Sequence, residues 1–272
     1  MRKNLSIMFV LFLSFSLILS ACGTSKETSN DEGNNSQETK KTLRIVTDAA
    51  YAPFEYMDKG DIVGFDIDFI TAVAKEAGYE VKIEHVGWDP IFVEIEGKQA
   101  DLAVSAVTIN DERKQSYDFS SPYFLSTNKI LVKEGSPIKS GADLKGKVVA
   151  VQNGTTGQEA AEAILGKNSP SLKKFENNVL AIQELLAGGA DAVVADNTVV
   201  EEYAKNNPQD KLVVIEDADA FEAEFYGILF PKGSKLVKEF DEALQAIFDN
   251  GTYTKVYEEW FGSRPELDKL QK

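Results

Sequence analysis

From Thr42 onward the chain alternates short apolar runs with amphipathic stretches, and this alternation limits its fold more than any other feature. Residues 43–47 read as a strand. Residues 66–77 read as a helix, because Ile67, Ile70, Val73, Ala74 and Ala77 recur at helical spacing. A strand pattern at 79–86 precedes a helical one at 91–97. The run 102–107 is continuously apolar, as a strand covered on both faces would be. That signal returns at 148–151 and 192–195, with helical patterns at 158–165 and 182–186. A helix at 199–206, strands at 212–215 and 227–230, and a helix at 235–249 stopped by Asn250-Gly251 complete the series. Strand–helix alternation of this kind predicts an α/β fold with parallel sheets. About 230 residues are more than one compact core usually needs, so two lobes are expected. An internal echo agrees with that: Glu94-Ile95 precedes Ala100-Asp101-Leu102-Ala103-Val104 at the spacing with which Glu184-Leu185 precedes Ala190-Asp191-Ala192-Val193-Val194.

The residues before Thr42 are of another kind. Arg2 and Lys3 precede an apolar run at 5–19, followed by Leu19-Ser20-Ala21-Cys22 with the chain's single cysteine. That order reads as a secretory signal at 1–21, and the apolar run is short for a hydrocarbon core about 30 Å thick. The pattern resembles that of bacterial lipoproteins, which implies cleavage before Cys22 and lipid on its sulfur. Residues 23–41 carry no aliphatic side chain larger than a methyl and read as a flexible tether with a reach of about 25 Å.

Composition excludes several classes of function. No cysteine follows Cys22, so disulfides and thiolate metal sites are not expected, and no cofactor is implied. His85 is the sole histidine, which argues against a histidine-rich metal site or a Ser-His-Asp triad. A net charge of −15 argues against nucleic acid as a partner.

Four segments place polar groups where α/β folds bind ligands, at the carboxyl ends of strands. Thr108-Ile109-Asn110-Asp111-Glu112-Arg113 follows a buried run. Asn110 or Asp111 can cap the next helix, and Arg113 in its first turn opposes the helix dipole while offering a planar fork for a carboxylate. Gln152-Asn153-Gly154-Thr155-Thr156-Gly157 opens a helix and exposes N–H groups to an anion, with Thr156 and Glu159 fitting a capping box. It is not a P-loop, since the Gly-Lys-Ser/Thr ending is absent. Asp196 closes the run 192–195 and suits an ammonium. Asp48 to Glu55 offers a further carboxylate beside Tyr51, and Trp88 adds a ring after the second strand. Singly, each has a plainer reading: a solvated Arg113, Asp48 and Asp196 as helix caps, Tyr51 and Trp88 as core. Together their charges match the three of a basic amino acid.

Taken in order, Thr47-Asp48, Tyr51-Ala52-Pro53-Phe54-Glu55, Gly64-Phe65-Asp66-Ile67-Asp68, Thr108 to Arg113, Asp118-Phe119-Ser120 with Pro122-Tyr123, Gly154-Thr155-Thr156 and Asn250-Gly251-Thr252-Tyr253 with Trp260-Phe261-Gly262 resemble the polar amino-acid-binding proteins of ABC importers, solute-binding protein family 3. The likeness spans residues 42–267 and is greatest to arginine/lysine/histidine-binding lipoproteins of Gram-positive bacteria. It implies a two-lobed periplasmic-binding-protein fold, type II or Venus-flytrap, with two interlobe crossings. Lobe one would be 42–126 plus 227–272 and lobe two 132–224, with hinges at 127–131 and 225–226. The resemblance further implies that Arg113 and the N–H groups of Thr108 and Thr156 bind the ligand carboxylate. Asp196, Thr108 and the Ala106 carbonyl would bind the ammonium, Tyr51 and Trp88 would sandwich the side chain, and Asp48 would take its polar end. Gln152, where glutamine-binding relatives tend to carry a basic residue, favours a cationic ligand, as does Ala195. Glutamine remains the alternative, because its amide can donate to Asp48. The implied partners are a permease and, through Cys22 alone, the membrane, with the chain a monomer on the extracytoplasmic face. An enzyme reading would use Glu55 as a general acid, but no second catalytic group converges on it. A sensor reading would require a separate signalling partner.

Overall fold

A computed structural model describes residues 41–271. The expected leader, Cys22 and nearly all of the tether lie outside those residues. The chain opens with β1 (Thr42–Thr47), then a small antiparallel meander of β2 (Ala50–Tyr51), β3 (Glu55–Asp58) and β4 (Asp61–Val63). Next come α1 (Phe65–Glu76), β5 (Glu80–His85), α2 (Trp88–Glu96), β6 (Leu102–Ala103), α3 (Arg113–Ser116) and β7 (Tyr117–Phe119). The long β8 (Phe124–Lys133) leads to β9 (Val149–Gln152), α4 (Thr156–Leu165), β10 (Leu172–Phe175), α5 (Asn178–Ala187), β11 (Ala192–Asp196), α6 (Asn197–Asn206) and β12 (Leu212–Ile215). Then follow β13 (Ala223–Tyr226), β14 (Leu229–Pro231), α7 (Leu236–Asp249), α8 (Thr252–Phe261) and α9 (Leu267–Leu270).

Two large sheets result, one of five strands and one of six that counts β13 through its pairing with β8. The first runs β5-β1-β6-β14-β7 and the second β10-β9-β11-β8-β12. In each, the first three strands are parallel, and helices return the chain between them. Both faces are covered, which explains the apolar runs. Leu43 and Ile45 join one core with Phe69 of α1 and Phe240 of α7, whereas Val46 and Ala103 face another with Ile91 and Ile95 of α2. In the second sheet Val149, Val151 and Val194 face α4, and Ala150, Val193 and Ala195 face α5. A strand packed on both sides has no polar face, so alternation disappears.

The internal echo has a shared hydrogen-bond pattern. Asp101 accepts from Arg44 N at 2.8 Å while its own N–H donates to the Arg44 carbonyl. Asp191 does the same with Val148, its carboxylate accepting from Val148 N at 2.8 Å. In both sheets an aspartate thus ties the turn before a central strand to the start of its neighbour.

Residues 124–127 of β8 pair with β13 as an antiparallel ribbon, and the rest of β8 pairs with β11 and β12 in the second sheet. β14 then rejoins the first sheet. The fold is two-lobed, with the chain crossing twice along this ribbon.

Some local expectations shift. The run 102–107 pairs as a strand only at Leu102–Ala103, because Ala106 turns into the left-handed region at φ 47° and takes the chain off the sheet. Thr156 does not cap α4; Thr155 does, its hydroxyl accepting from Gln158 N at 3.2 Å. Asp196 occupies the capping position of α6, but its side chain makes no cap bond.

Candidate functional site

The carboxyl ends of both sheets meet the crossing ribbon around a small, partly enclosed cavity of about 20 Å³. Of the residues expected to touch a ligand, Tyr51, Trp88, Ala106, Thr108, Arg113, Gln152, Thr156 and Asp196 line it, joined by Ser105 and Thr155. Asp48 stands behind this wall, buried at 4 % exposure.

Arg113 is half-buried and held from several sides. Asn110 accepts from its backbone N–H at 2.8 Å, and its guanidinium donates to the Thr108 carbonyl at 2.9 Å and the Gly154 carbonyl at 3.2 Å. The guanidinium carbon lies 5.4 Å from the ring centroids of both Trp88 and Phe92. Burial pulls its pKa down from the ordinary arginine value, opposed by Glu159, Glu224, Asp196 and Glu112. Desolvation and flanking rings of this kind strengthen what a bound carboxylate gains from a guanidinium. Gly154 stands at the contact with φ 71°, and a Cβ there would meet the Trp88 indole nitrogen at 3.3 Å. The absent side chain lets the loop approach Trp88, which donates to the Gly154 carbonyl at 3.3 Å.

Asp196 is buried at 6 % exposure and accepts from Tyr51 Oη at 2.5 Å and from Tyr226 Oη. Burial raises its pKa, while the two phenols and Arg113 hold the carboxylate down. Sequence reasoning missed Tyr226 and Glu224, both on β13. Glu224 accepts from Thr108 Oγ1 and Thr156 Oγ1, each at 2.8 Å, and from Asn128 Nδ2 at 2.7 Å. Burial and then Asp196 push its pKa up, against the two threonines and Arg113. No local pattern marks either residue, since their roles arise only when the ribbon brings β13 beneath both loops.

Gln152 spans the cleft. Its amide nitrogen donates to Asp48 Oδ2 and to the Glu176 carbonyl, both at 3.2 Å, and its oxygen accepts from Asn178 Nδ2 at 2.9 Å. Burial raises the Asp48 pKa, with His85 and the Gln152 amide opposing. Among the described residues no group of three or more His, Cys, Asp or Glu side chains is placed to hold a metal.

Charged and hydroxylic groups from opposite sheets thus enclose a small cavity, with Arg113 and Asp196 as its charged lining and Asp48 and Glu224 just outside it. Residues 43–263 match the sequence profile of the bacterial extracellular solute-binding proteins, family 3. The chain belongs to that family. It is 39% identical over 248 residues to a probable histidine-binding protein of Neisseria gonorrhoeae, covering 90% of this chain and 91% of that one. It is 36% identical over 265 residues to the arginine-binding extracellular protein ArtP of Bacillus subtilis, covering 96% and 98%. Among solved structures, the arginine-, lysine-, histidine-binding protein ArtJ of Geobacillus stearothermophilus superposes with a TM-score of 0.84 at 56% identity, over 85% of this chain and all of that one.

Proposed function

We propose that this chain is the substrate-binding lipoprotein of an amino-acid ABC importer and that its ligand is a basic L-amino acid, arginine foremost, with lysine, histidine and ornithine as related candidates. The observation that carries the reading is the charge around the cavity. Arg113 is matched to an α-carboxylate, Asp196 to an α-ammonium, and Asp48 behind Gln152 is left for a cationic side chain. Burying an unmatched carboxylate costs several kcal/mol unless it is protonated or hydrogen-bonded, so Asp48 next to the cavity favours a cation over a neutral side chain. The names of the family members ArtP and ArtJ agree with this reading.

Glutamine is the second reading, favoured by one contact. Gln152 already satisfies Asp48 Oδ2 with an amide N–H, so a ligand amide has the chemistry to do the same. In either case the reading is of a binding protein, and Glu55, the residue an enzyme reading would use as a general acid, is fully buried. Lobe one is drawn as 42–126 with 227–272, and lobe two as 132–224. The ribbon pairing supports a first crossing at 124–127, just before the expected 127–131. Lipidation at Cys22 would hold the monomer on the outer face of the cell membrane, within reach of its permease. Among the described residues no helix is long and apolar enough to cross a membrane.

A thermal-shift screen against the amino acids tests the specificity. A ligand at a hundred times its Kd stabilises by about 2.7 kcal/mol, which raises the melting temperature by about 5–11 °C in a domain of this size. Basic amino acids should give the largest shifts. If only acidic or aliphatic ones did, the reading would be wrong.

A further inference from the structure

Beneath the cavity floor lie two acids that do not themselves line the cavity. Glu55 opens β3 and Asp66 stands in the first turn of α1, and both are fully buried. Gly64 brings them together, since a Cβ there would stand 2.0 Å from the Phe54 carbonyl, to which Asp66 N donates at 2.9 Å. Glu55 Oε1 accepts from Ser105 Oγ at 2.6 Å. Asp66 Oδ2 accepts from Ala106 N and from Tyr123 Oη, each at 2.8 Å. Each carboxyl keeps one oxygen, Glu55 Oε2 and Asp66 Oδ1, without any donor among the described residues. The two acids hold consecutive residues, Ser105 and Ala106, and interact with each other there. Two adjacent carboxylates sealed from water cannot both stay ionised, and one proton between them satisfies both orphaned oxygens.

We propose that Glu55 and Asp66 share a single proton as a carboxyl–carboxylate pair and act as positioning residues for the ligand site, holding the Ser105–Ala106 turn in its binding conformation. Both turn residues line the cavity. Ala106 sits at φ 47°, a left-handed conformation unfavourable for an alanine, and Asp66 holds its N–H there. Ser105 Oγ also accepts from Asp48 N at 3.1 Å, so the same pair braces the residue behind Gln152.

The titratable groups facing the pair are Asp48, Tyr51, Tyr123 and Tyr253, with no cation among them. Burial, and then Asp66, push Glu55 well above the carboxylate range, and burial pushes Asp66 up to about 6 against the Ala106 N–H and Tyr123. Asp66 accepts two hydrogen bonds and Glu55 only one, so Asp66 is the better-stabilised anion and Glu55 holds the proton. Because the folded pKa of Glu55 lies above the unfolded one, the stability linked to its proton is complete below the ordinary carboxylate pKa. It is lost as pH rises through the raised folded value.

The proposal uses the amino-acid-binding reading only for its affinity readout. Three measurements on the full folded chain test it: the ligand-free melting temperature against pH, carbon NMR titration of glutamate-labelled protein, and arginine affinity. One glutamate carboxyl should keep its proton at neutral pH and vanish from the spectrum in Glu55→Gln. Should that variant not fold, displacement of the same resonance in Ser105→Ala identifies it. Glu55→Ala should weaken arginine binding by about tenfold or more, since it frees the Ser105 hydroxyl and strands Asp66. Glu55→Gln, whose amide mimics the protonated acid, should recover most of that affinity and flatten the alkaline fall in melting temperature. A Glu55 carboxyl ionised at neutral pH, or a Glu55→Gln melting profile that tracks the parent at every pH, overturns the proposal. If no amino acid binds while the NMR and melting results hold, the ligand reading fails and the proton-sharing pair stands.

Discussion

Arg113 reaches both sides of the cleft at once. Its guanidinium meets the Thr108 carbonyl and the Gly154 carbonyl, and the rings of Trp88 and Phe92 flank it. Its place after a buried run was visible in the sequence, as was the mismatch between its charge and the helix dipole. Phe92 and the carbonyl contacts were not, because they depend on side chains and loops brought together from separate elements. Arg113→Ala would leave a bound carboxylate enclosed without its counter-ion, and should cost about 3–5 kcal/mol of arginine binding by calorimetry. Near-parental affinity in that variant would remove Arg113 from the site. Asp48 teaches the opposite lesson. Its type and position were legible, but the sequence could not show Gln152 standing between it and the cavity.

At the scale of elements, α4 couples stability to the site. Thr155 caps it through Gln158 N and donates to the Gln152 carbonyl at 2.9 Å. That leaves Thr156 Oγ1 free of the helix and able to reach Glu224. Thr155→Ala should destabilise the chain by about 1 kcal/mol, lowering the melting temperature by about 2–4 °C. An unchanged melting temperature would mean that another group takes over the cap. The buried strands and α7 were readable because hydrophobic period is a local signal. The β2–β3–β4 meander, the brevity of β6 and the ribbon formed by β13 were not. Short strands carry too few residues for a period, and the turn at Ala106 depends on an anchor from Asp66, forty residues earlier in the chain. Glu224 and Tyr226 escaped notice for the same reason, since the partners that give them meaning lie on other elements.

At the scale of the molecule, Arg113–Gly154, Trp88–Gly154, Asp48–Gln152 and Tyr51–Asp196 join the two lobes across the cleft, while the ribbon of β8 and β13 joins them covalently. These bonds describe a closed arrangement. A ligand that bridges the same groups should shift the population toward it, so small-angle scattering should give a smaller radius of gyration with arginine than without. An identical radius under both conditions would mean that closure is not coupled to binding. The central claim, that this cavity is built for a basic amino acid, is tested most directly by calorimetric titration of the chain and of its Asp48→Asn variant with arginine and with glutamine. Arginine should bind the parent chain at least about tenfold more tightly, a difference of about 1.4 kcal/mol, and that advantage should collapse in Asp48→Asn. Glutamine binding the parent chain as tightly as arginine, or more so, would contradict the account.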